Sequence, residues 1–135
     1  MSILGRKIPG TVVAAVAALI VVASLLPVMT SAPEREIVLV ARGMAFYLEN
    51  DPRTPNPTIE VTAGERVRVV LKNEDRGMTH DFAVPALDTG MDLLRWNDVG
   101  EVTFTVPPQP GTYAYVCNPH RLMMQGVIRV AAAGD

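Results

Sequence analysis

The sequence predicts an all-β sandwich preceded by one N-terminal hydrophobic helix, and two observations carry this prediction. From residue 34 onward, apolar residues come in short runs of five to seven that are rich in Val, Ile, Thr, Phe and Tyr. Gly, Pro, Asn and Asp separate these runs, which is typical of strands joined by turns. Before that point, residues 8–32 carry no charged side chain, and a run of this composition belongs in a bilayer.

Residues 1–33 are predicted to be a membrane anchor or a signal peptide. The uncharged stretch exceeds the roughly 7–15 residues of a secretory apolar region and reaches the 18 or more of a spanning helix, which favours a retained anchor. Cleavage after Ala32 stays open because small residues precede it, although Pro33 would be a poor residue after the cut. An Arg-Lys pair precedes the apolar stretch and is expected to stay in the cytoplasm. Residues 34–135 would therefore be anchored at, or exported beyond, the extracytoplasmic face of the cell membrane.

Seven strands are predicted in the remaining residues, with a further short strand near Phe46. They are 36–42, 58–61, 66–73, 80–84, 101–106, 112–116 and 127–130. Turn residues agree with this division: Gly64 separates two of the strands, and residues 51–57 contain three prolines, which a central strand does not tolerate. Residues 86–100 form a long connection, in which a helical turn is expected around residues 92–96. The number of strands suits a two-sheet sandwich.

The 135 residues leave room for one small domain, residues 34–135, and for no second catalytic domain. The chain has 12 basic and 14 acidic side chains, and two of the basic ones precede residue 34, so the domain carries 10 basic and 14 acidic side chains, or −4. This balance does not predict a nucleic-acid partner. The single cysteine excludes an internal disulfide and a zinc finger.

One short loop contains the only cysteine and one of the two histidines. Cys117 follows the predicted strand 112–116, His120 comes three residues later, and Met124 lies four residues beyond His120. Thiolate, imidazole and thioether donors select copper over oxygen-seeking cations, and two His, one Cys and a weak axial Met are the blue-copper ligand set. The missing imidazole is assigned to His80, the other histidine of the chain. Taken alone, Cys117 could equally be a buried structural thiol.

Three stretches of the chain resemble the cupredoxins, which are mononuclear blue-copper electron carriers. Residues 111–120, GTYAYVCNPH, look like the plastocyanin and pseudoazurin pattern, in which a Pro-Gly turn leads into a strand ending in Cys-x-Pro-His. Residues 120–126 give His-x3-Met-x-Gly, which is similar to the azurin ligand loop, and residues 78–82 resemble the family's first-ligand strand. The likeness spans most of residues 36–130. One departure is Asp81, because many members carry there an Asn that ties this strand to the Cys loop.

The resemblance implies a Greek-key β-sandwich of the cupredoxin type that holds one copper ion, Cu(I) or Cu(II), with His80, Cys117, His120 and Met124 as ligands. It also implies a protein that is not an enzyme and has no catalytic residues. The domain would carry single electrons as a monomer, and its redox protein partners would dock near His120, the exposed ligand of the family. Either Met124 or its neighbour Met123 could be the axial ligand, because a tighter loop like that of amicyanin would use Met123.

Two other functions remain as alternatives. An extracytoplasmic copper chaperone or scavenger would need an exposed, exchangeable site, usually one richer in Met and His. A cysteine enzyme would use Cys117 as nucleophile and His120 as base. However, no Asn or Asp is evidently placed in the sequence to orient that base, and the three-residue spacing suits chelation better. The copper electron carrier is therefore the leading prediction.

Overall fold

The structure, a computed structural model, describes residues 33–134. The hydrophobic helix predicted over residues 8–32 lies outside these described residues. Among residues 33–134, no helix has the length and the apolar character needed to cross a membrane. The proposed division into an N-terminal anchor or signal and a following domain therefore stays a prediction.

Within the described residues the chain forms nine strands. They are β1 (Glu34–Arg42), β2 (Ala45–Leu48), β3 (Ile59–Thr62), β4 (Arg66–Asn73), β5 (Ala83–Val84), β6 (Thr89–Gly90), β7 (Val99–Thr105), β8 (Gly111–Val116) and β9 (Gln125–Ala131). Short 3-10 turns at Pro85–Leu87 and Asn118–His120 lie in the β5–β6 and β8–β9 connections. The short strand predicted near Phe46 is confirmed as β2.

The strands form two sheets, which confirms the predicted β-sandwich. One sheet has four strands in the order β2-β1-β4-β7, and the other has five in the order β3-β9-β8-β5-β6. β1 runs parallel to β4 and β3 runs parallel to β9, whereas the other neighbours are antiparallel. Ala41, the residue before the last of β1, pairs with Asn73, the last residue of β4. The turns after these two strands therefore begin at the same end of the sheet. Asp75, in the turn after β4, contacts the predicted ligand His80, and residues of the turn after β1 contact Asp75.

The core between the sheets follows the alternation of the strands. In β4, every second residue from Val67 to Asn73 is buried, because successive side chains of a strand face opposite sides of the sheet. Three aromatic rings meet in this core: Phe46 and Phe82 lie with centroids 6.1 Å apart, and Tyr115 lies 5.5 Å and 5.3 Å from them. Such edge-to-face and stacked pairs add to the stabilisation that comes from burial. Tyr115 is thus a packing residue.

The largest departure from the predicted strands is around the first histidine. The predicted strand 80–84 is regular only in β5, and His80 instead forms an isolated bridge with Leu94. The helical turn predicted around residues 92–96 is wrong, because Leu94 exchanges two backbone hydrogen bonds with His80 at 2.8 and 3.0 Å and is held extended. A 3-10 turn forms earlier, at Pro85–Leu87, where the fixed φ of proline favours a helical start.

Candidate metal centre

The loop between β8 and β9 carries three of the predicted ligands. β8 ends at Val116, and Cys117 keeps an extended backbone before the 3-10 turn that begins at Asn118. Pro119 suits the start of this turn, because its φ is fixed and its missing N–H is not needed there. The N–H of Cys117 donates to the carbonyl of Met124 at 2.9 Å. This bond closes the loop and sets the backbones of these two residues side by side.

His80 reaches the site from the segment that follows β4. Its backbone bridge to Leu94 fixes the position of the chain. Asn73, the last residue of β4, is buried and donates from Nδ2 to the carbonyls of Met78 and Leu94 at 2.9 and 3.0 Å. The turn between β4 and His80 is therefore held from inside by one amide side chain. The imidazole of His80 is completely buried.

The structure brings His80, Cys117 and His120 together, as the sequence predicted. Cys117 Sγ lies 3.6 Å from His80 Nδ1 and 3.5 Å from His120 Nδ1. One donor atom from each of the three residues lies within 4.8 Å of the other two. Metal–nitrogen and metal–sulfur bonds of about 2.0 and 2.3 Å allow donors at this spacing to contact a single ion. One thiolate and two imidazoles fit copper better than they fit the hard cations.

The two candidate axial methionines differ in burial. Met124 is 0% exposed and belongs to the core cluster that also contains Cys117, whereas Met123 is 60% exposed. The carbonyl of Met123 accepts a hydrogen bond from Asn56 Nδ2 at 3.0 Å, which ties the ligand loop to the proline-rich loop after β2. Burial beside Cys117 favours Met124 as the axial donor. Its coordination of a metal stays a prediction.

Asp81 joins the first-ligand segment to the cysteine loop. Its Oδ1 accepts the backbone N–H of Asn118 at 2.6 Å, and its Oδ2 accepts the side-chain Nδ2–H of the same residue at 2.8 Å. Arg121 in turn donates to Asn118 Oδ1 at 2.8 Å. The carboxylate therefore makes the tie that the resemblance assigns to an asparagine at this position. The departure noted in the sequence does not disconnect the two segments.

A residue that the sequence did not single out, Asp75, contacts the other side of His80. Asp75 Oδ2 lies 3.0 Å from His80 Nε2. The same carboxylate accepts the backbone N–H groups of Gly43 at 2.8 Å and Met44 at 3.3 Å, and the N–H of Asp75 donates to Asn73 Oδ1 at 2.9 Å. The only sequence signal was an acidic residue in the polar turn before the histidine, and many surface turns have one.

Burial controls the proton affinity of two of the predicted ligands. Burial, together with the nearby His120, holds the pKa of His80 below its usual value, although the hydrogen bond and charge of Asp75 raise it. For Asp75 itself, burial raises the pKa, but the N–H groups of Gly43 and Met44 and the contact with His80 outweigh it, and the pKa falls below its usual value. Burial raises the pKa of the Cys117 thiol. A bound metal would have to displace the proton of that thiol.

Comparisons with known proteins agree with this geometry. The sequence profile of the cupredoxin-like domain matches residues 13–130, whereas no curated protein sequence matches the chain. The fold is similar to reduced rusticyanin (26% identity, TM-score 0.57, 75% of this chain and 81% of that chain) and to rusticyanin from Thiobacillus ferrooxidans (26%, 0.54, 75% and 79%). It is also similar to auracyanin A, a "blue" copper protein from the green thermophilic photosynthetic bacterium Chloroflexus aurantiacus (23%, 0.54, 73% and 100%). The chain therefore belongs to the cupredoxin-like domain family.

Proposed function

We propose that residues 34–135 form a mononuclear type 1 copper domain that carries single electrons between redox partners outside the cytoplasm. The observation that carries the proposal is the position of Cys117 Sγ, 3.6 Å from Nδ1 of His80 and 3.5 Å from Nδ1 of His120. Membership of the cupredoxin-like family supports it, as does the likeness to rusticyanin.

His80, Cys117 and His120 would hold the copper, with Met124 as a weak axial donor. Bound copper would supply a one-electron couple between Cu(I) and Cu(II). The chain supplies the donors in fixed positions. Two backbone bonds to Leu94 hold the segment of His80, and the backbone bond from Cys117 to Met124 closes the cysteine loop. Four protein donors would leave no position for a substrate, which suits electron transfer better than bond chemistry.

His120 is the proposed point of electron entry and exit, because it is the one of these four side chains that is not fully buried. Apolar side chains flank it on the loop: Leu122 is 94% exposed, and Met123 and Pro119 are also exposed. A small apolar surface beside a partly exposed imidazole permits a brief contact of low area with a redox protein. Neighbouring Arg121 would add a charge at the rim of that contact.

The structure gives reasons to prefer this function over the alternatives. A copper chaperone needs donors that another protein can reach, but His80, Cys117 and Met124 are completely buried. A cysteine nucleophile is activated by a lowered thiol pKa, whereas burial raises the pKa of Cys117. The carboxylate that contacts a histidine, Asp75, contacts His80 rather than the histidine of the cysteine loop. An exchangeable site and a catalytic dyad are both disfavoured.

Residues 1–33 are proposed to anchor the domain to the membrane, with residues 34–135 outside the cytoplasm. The uncharged stretch 8–32 and the Arg-Lys pair before it support this orientation. Fractionated cells should contain the protein in the membrane, and externally added protease should digest the domain. A soluble exported form beginning near Pro33 would replace the anchor with a cleaved signal peptide.

The copper proposal is tested by the colour of the full-length protein in detergent after addition of Cu(II). The wild type should bind one copper ion and show an intense visible band from thiolate-to-copper charge transfer. Cys117→Ala should abolish that band and keep the far-ultraviolet circular dichroism of the β-sandwich. Met123→Ala is the matched control, because its exposed side chain is expected to leave the band unchanged. A coloured Cys117→Ala protein, or a colourless wild type with excess Cu(II), would refute the assignment.

A further inference from the structure

Asp75 lies where three parts of the chain meet at the ligand end of the sandwich. It follows β4, accepts two N–H groups from the β1–β2 turn, and contacts the buried imidazole of His80 at 3.0 Å. The side chain of Asp75 is 17% exposed, so water covers only a small part of it. A carboxylate in this position faces a predicted metal ligand on the side opposite to Cys117.

We propose that Asp75 is the positioning residue for His80: its carboxylate holds the imidazole with Nε2 protonated and Nδ1 directed towards Cys117, and its negative charge lowers the reduction potential of the bound metal. The first half concerns the protein without metal. The second half rests on the proposed function, because it requires a redox-active copper at Nδ1.

The geometry accounts for the choice of ring nitrogen. A neutral imidazole has one N–H donor and one acceptor nitrogen, and the hydrogen bond made by one nitrogen determines which lone pair is free. His80 Nε2 lies 3.0 Å from a carboxylate oxygen, which can only accept, so the proton belongs on Nε2. Nδ1 then keeps its lone pair, and this is the atom 3.6 Å from Cys117 Sγ. Carboxylate–histidine pairs of this kind orient metal ligands and raise their basicity.

Backbone N–H groups around Asp75 hold its carboxylate in place, and the carboxylate in turn contacts the imidazole of His80. Gly43 and Met44 both have positive φ, 57° and 61°, and their N–H groups both donate to Asp75. A non-glycine residue in this conformation is strained by about 1 kcal/mol or more, and persists where surrounding contacts hold it. Asp75 supplies such contacts, and its own N–H is bonded to Asn73. Rotation of the carboxylate would break several bonds together.

In the part of the chain that the structure describes, no ion pair with Arg or Lys cancels the charge of Asp75. Among the ion pairs of the described residues, Asp75 occurs only with His80, and no Arg or Lys is paired with it. An uncompensated negative charge near a metal stabilises the state of higher positive charge, here Cu(II) over Cu(I). Because the site is shielded from water, this interaction is screened less than one between surface charges.

The first measurement uses the copper-free protein and does not depend on the proposed function. Nitrogen-15 shifts of the histidine rings report which nitrogen carries the proton. The wild type should show His80 as the Nε2–H tautomer, with an unprotonated Nδ1. A dominant Nδ1–H tautomer in the wild type would overturn the positioning role.

The second measurement compares reduction potentials of the copper-loaded full-length protein. Asp75→Asn removes the charge with little change of shape, and Glu74→Gln is the matched control, because Glu74 is the adjacent carboxylate and is 52% exposed. Asp75→Asn should shift the Cu(I):Cu(II) ratio at a fixed potential about tenfold towards Cu(I), which for a one-electron couple is a rise of about 59 mV. Glu74→Gln should produce less than a third of that shift.

The outcomes separate the two proposals. A shift in Asp75→Asn no larger than that in Glu74→Gln, or a fall in potential, would overturn the electrostatic role. A wild type that takes up no redox-active copper would overturn the proposed function, and the tautomer in the copper-free protein would still decide the positioning role.

Discussion

Replacing Gly126 with alanine is expected to destabilise the domain strongly, because a buried tyrosine occupies the space that the new Cβ needs. An ideal Cβ at this position would lie 2.2 Å from Tyr115 Oη, 2.3 Å from Cζ and 2.5 Å from Cε1. The Tyr115 ring is fully buried against Phe46 and Phe82. Its hydroxyl donates to the carbonyl of Pro57 at 2.6 Å. The ring cannot move away without leaving both its packing and its hydrogen bond.

The magnitude follows from these two losses. Forcing extra volume into a packed core costs about 1–3 kcal/mol, and leaving a buried donor or acceptor without its partner costs about 1–3 kcal/mol. One movement of the ring relieves part of the clash at the expense of the hydrogen bond, so the two costs do not add fully. We expect a decrease of about 3 kcal/mol in the free energy of unfolding, against a typical total of about 5–15 kcal/mol.

Urea unfolding of the copper-free protein measures this change. Gly134→Ala is the control, since no atom lies within 4 Å of its ideal Cβ, and its effect should stay within about 0.5 kcal/mol. Tyr115→Phe removes the hydroxyl nearest to the new Cβ and leaves the ring. Gly126→Ala should therefore cost less in a Tyr115→Phe background than alone. A loss below about 1 kcal/mol in the single Gly126→Ala variant would refute the reasoning, because a real overlap with a fixed ring costs more than this.

Two further predictions concern the ligand loop. Met124→Leu should raise the reduction potential while copper stays bound, because loss of a weak axial donor disfavours Cu(II) more than Cu(I). Voltammetry should show this rise in Met124→Leu and little change in Met123→Leu. A rise in Met123→Leu with little change in Met124→Leu would move the axial role to Met123. Leu122→Asp should slow electron exchange with the physiological partner by roughly tenfold or more, through a contact that is costlier to desolvate. The visible spectrum should not change, and wild-type exchange rates measured by stopped flow would show that electrons leave by another surface.

Most features of the site that could be predicted depend on residues close together in the sequence. Cys117, His120 and Met124 lie in one loop between two strands, and short apolar runs bounded by turn residues predicted both strands. His80 could be assigned because the chain has only one other histidine. These inferences needed no knowledge of how distant segments pack.

The contacts that hold the site could not be predicted, because they join segments far apart in the sequence. Asp75 and Gly43 are 32 residues apart, and Asp81 and Asn118 are 37 residues apart. The bridge between His80 and Leu94 was missed for a related reason: a single bridged pair leaves no period-two pattern in the sequence. Local pattern therefore predicted the candidate ligands, whereas the carboxylates that contact their segments could be found only from the fold.

The four predicted ligands differ in burial, and this difference supports the proposed exchange of electrons at His120. His80, Cys117 and Met124 are buried; His80 shares two backbone bonds with Leu94, and the N–H of Cys117 donates to the carbonyl of Met124. His120 lies in a 3-10 turn and is partly exposed. Its backbone is also hydrogen-bonded, to Cys117, Met123 and Met124, so exposure rather than backbone support distinguishes it. The more exposed histidine is therefore the proposed point of contact with a redox partner.

Arg121 belongs both to this exposed surface and to the network behind it. Its guanidinium donates to Asn118 Oδ1, and Asn118 donates in turn to both carboxylate oxygens of Asp81. Substitution of Arg121 therefore changes the charge at the proposed docking surface and also removes its hydrogen bond to Asn118, the residue that joins the cysteine loop to the segment of His80 through Asp81. The two effects separate with ionic strength, because charge steering falls as salt rises whereas a hydrogen bond inside the loop does not. In Arg121→Glu, the salt-dependent part of the rate change reports the docking charge, and the part that persists at high salt reports the lost contact with Asn118.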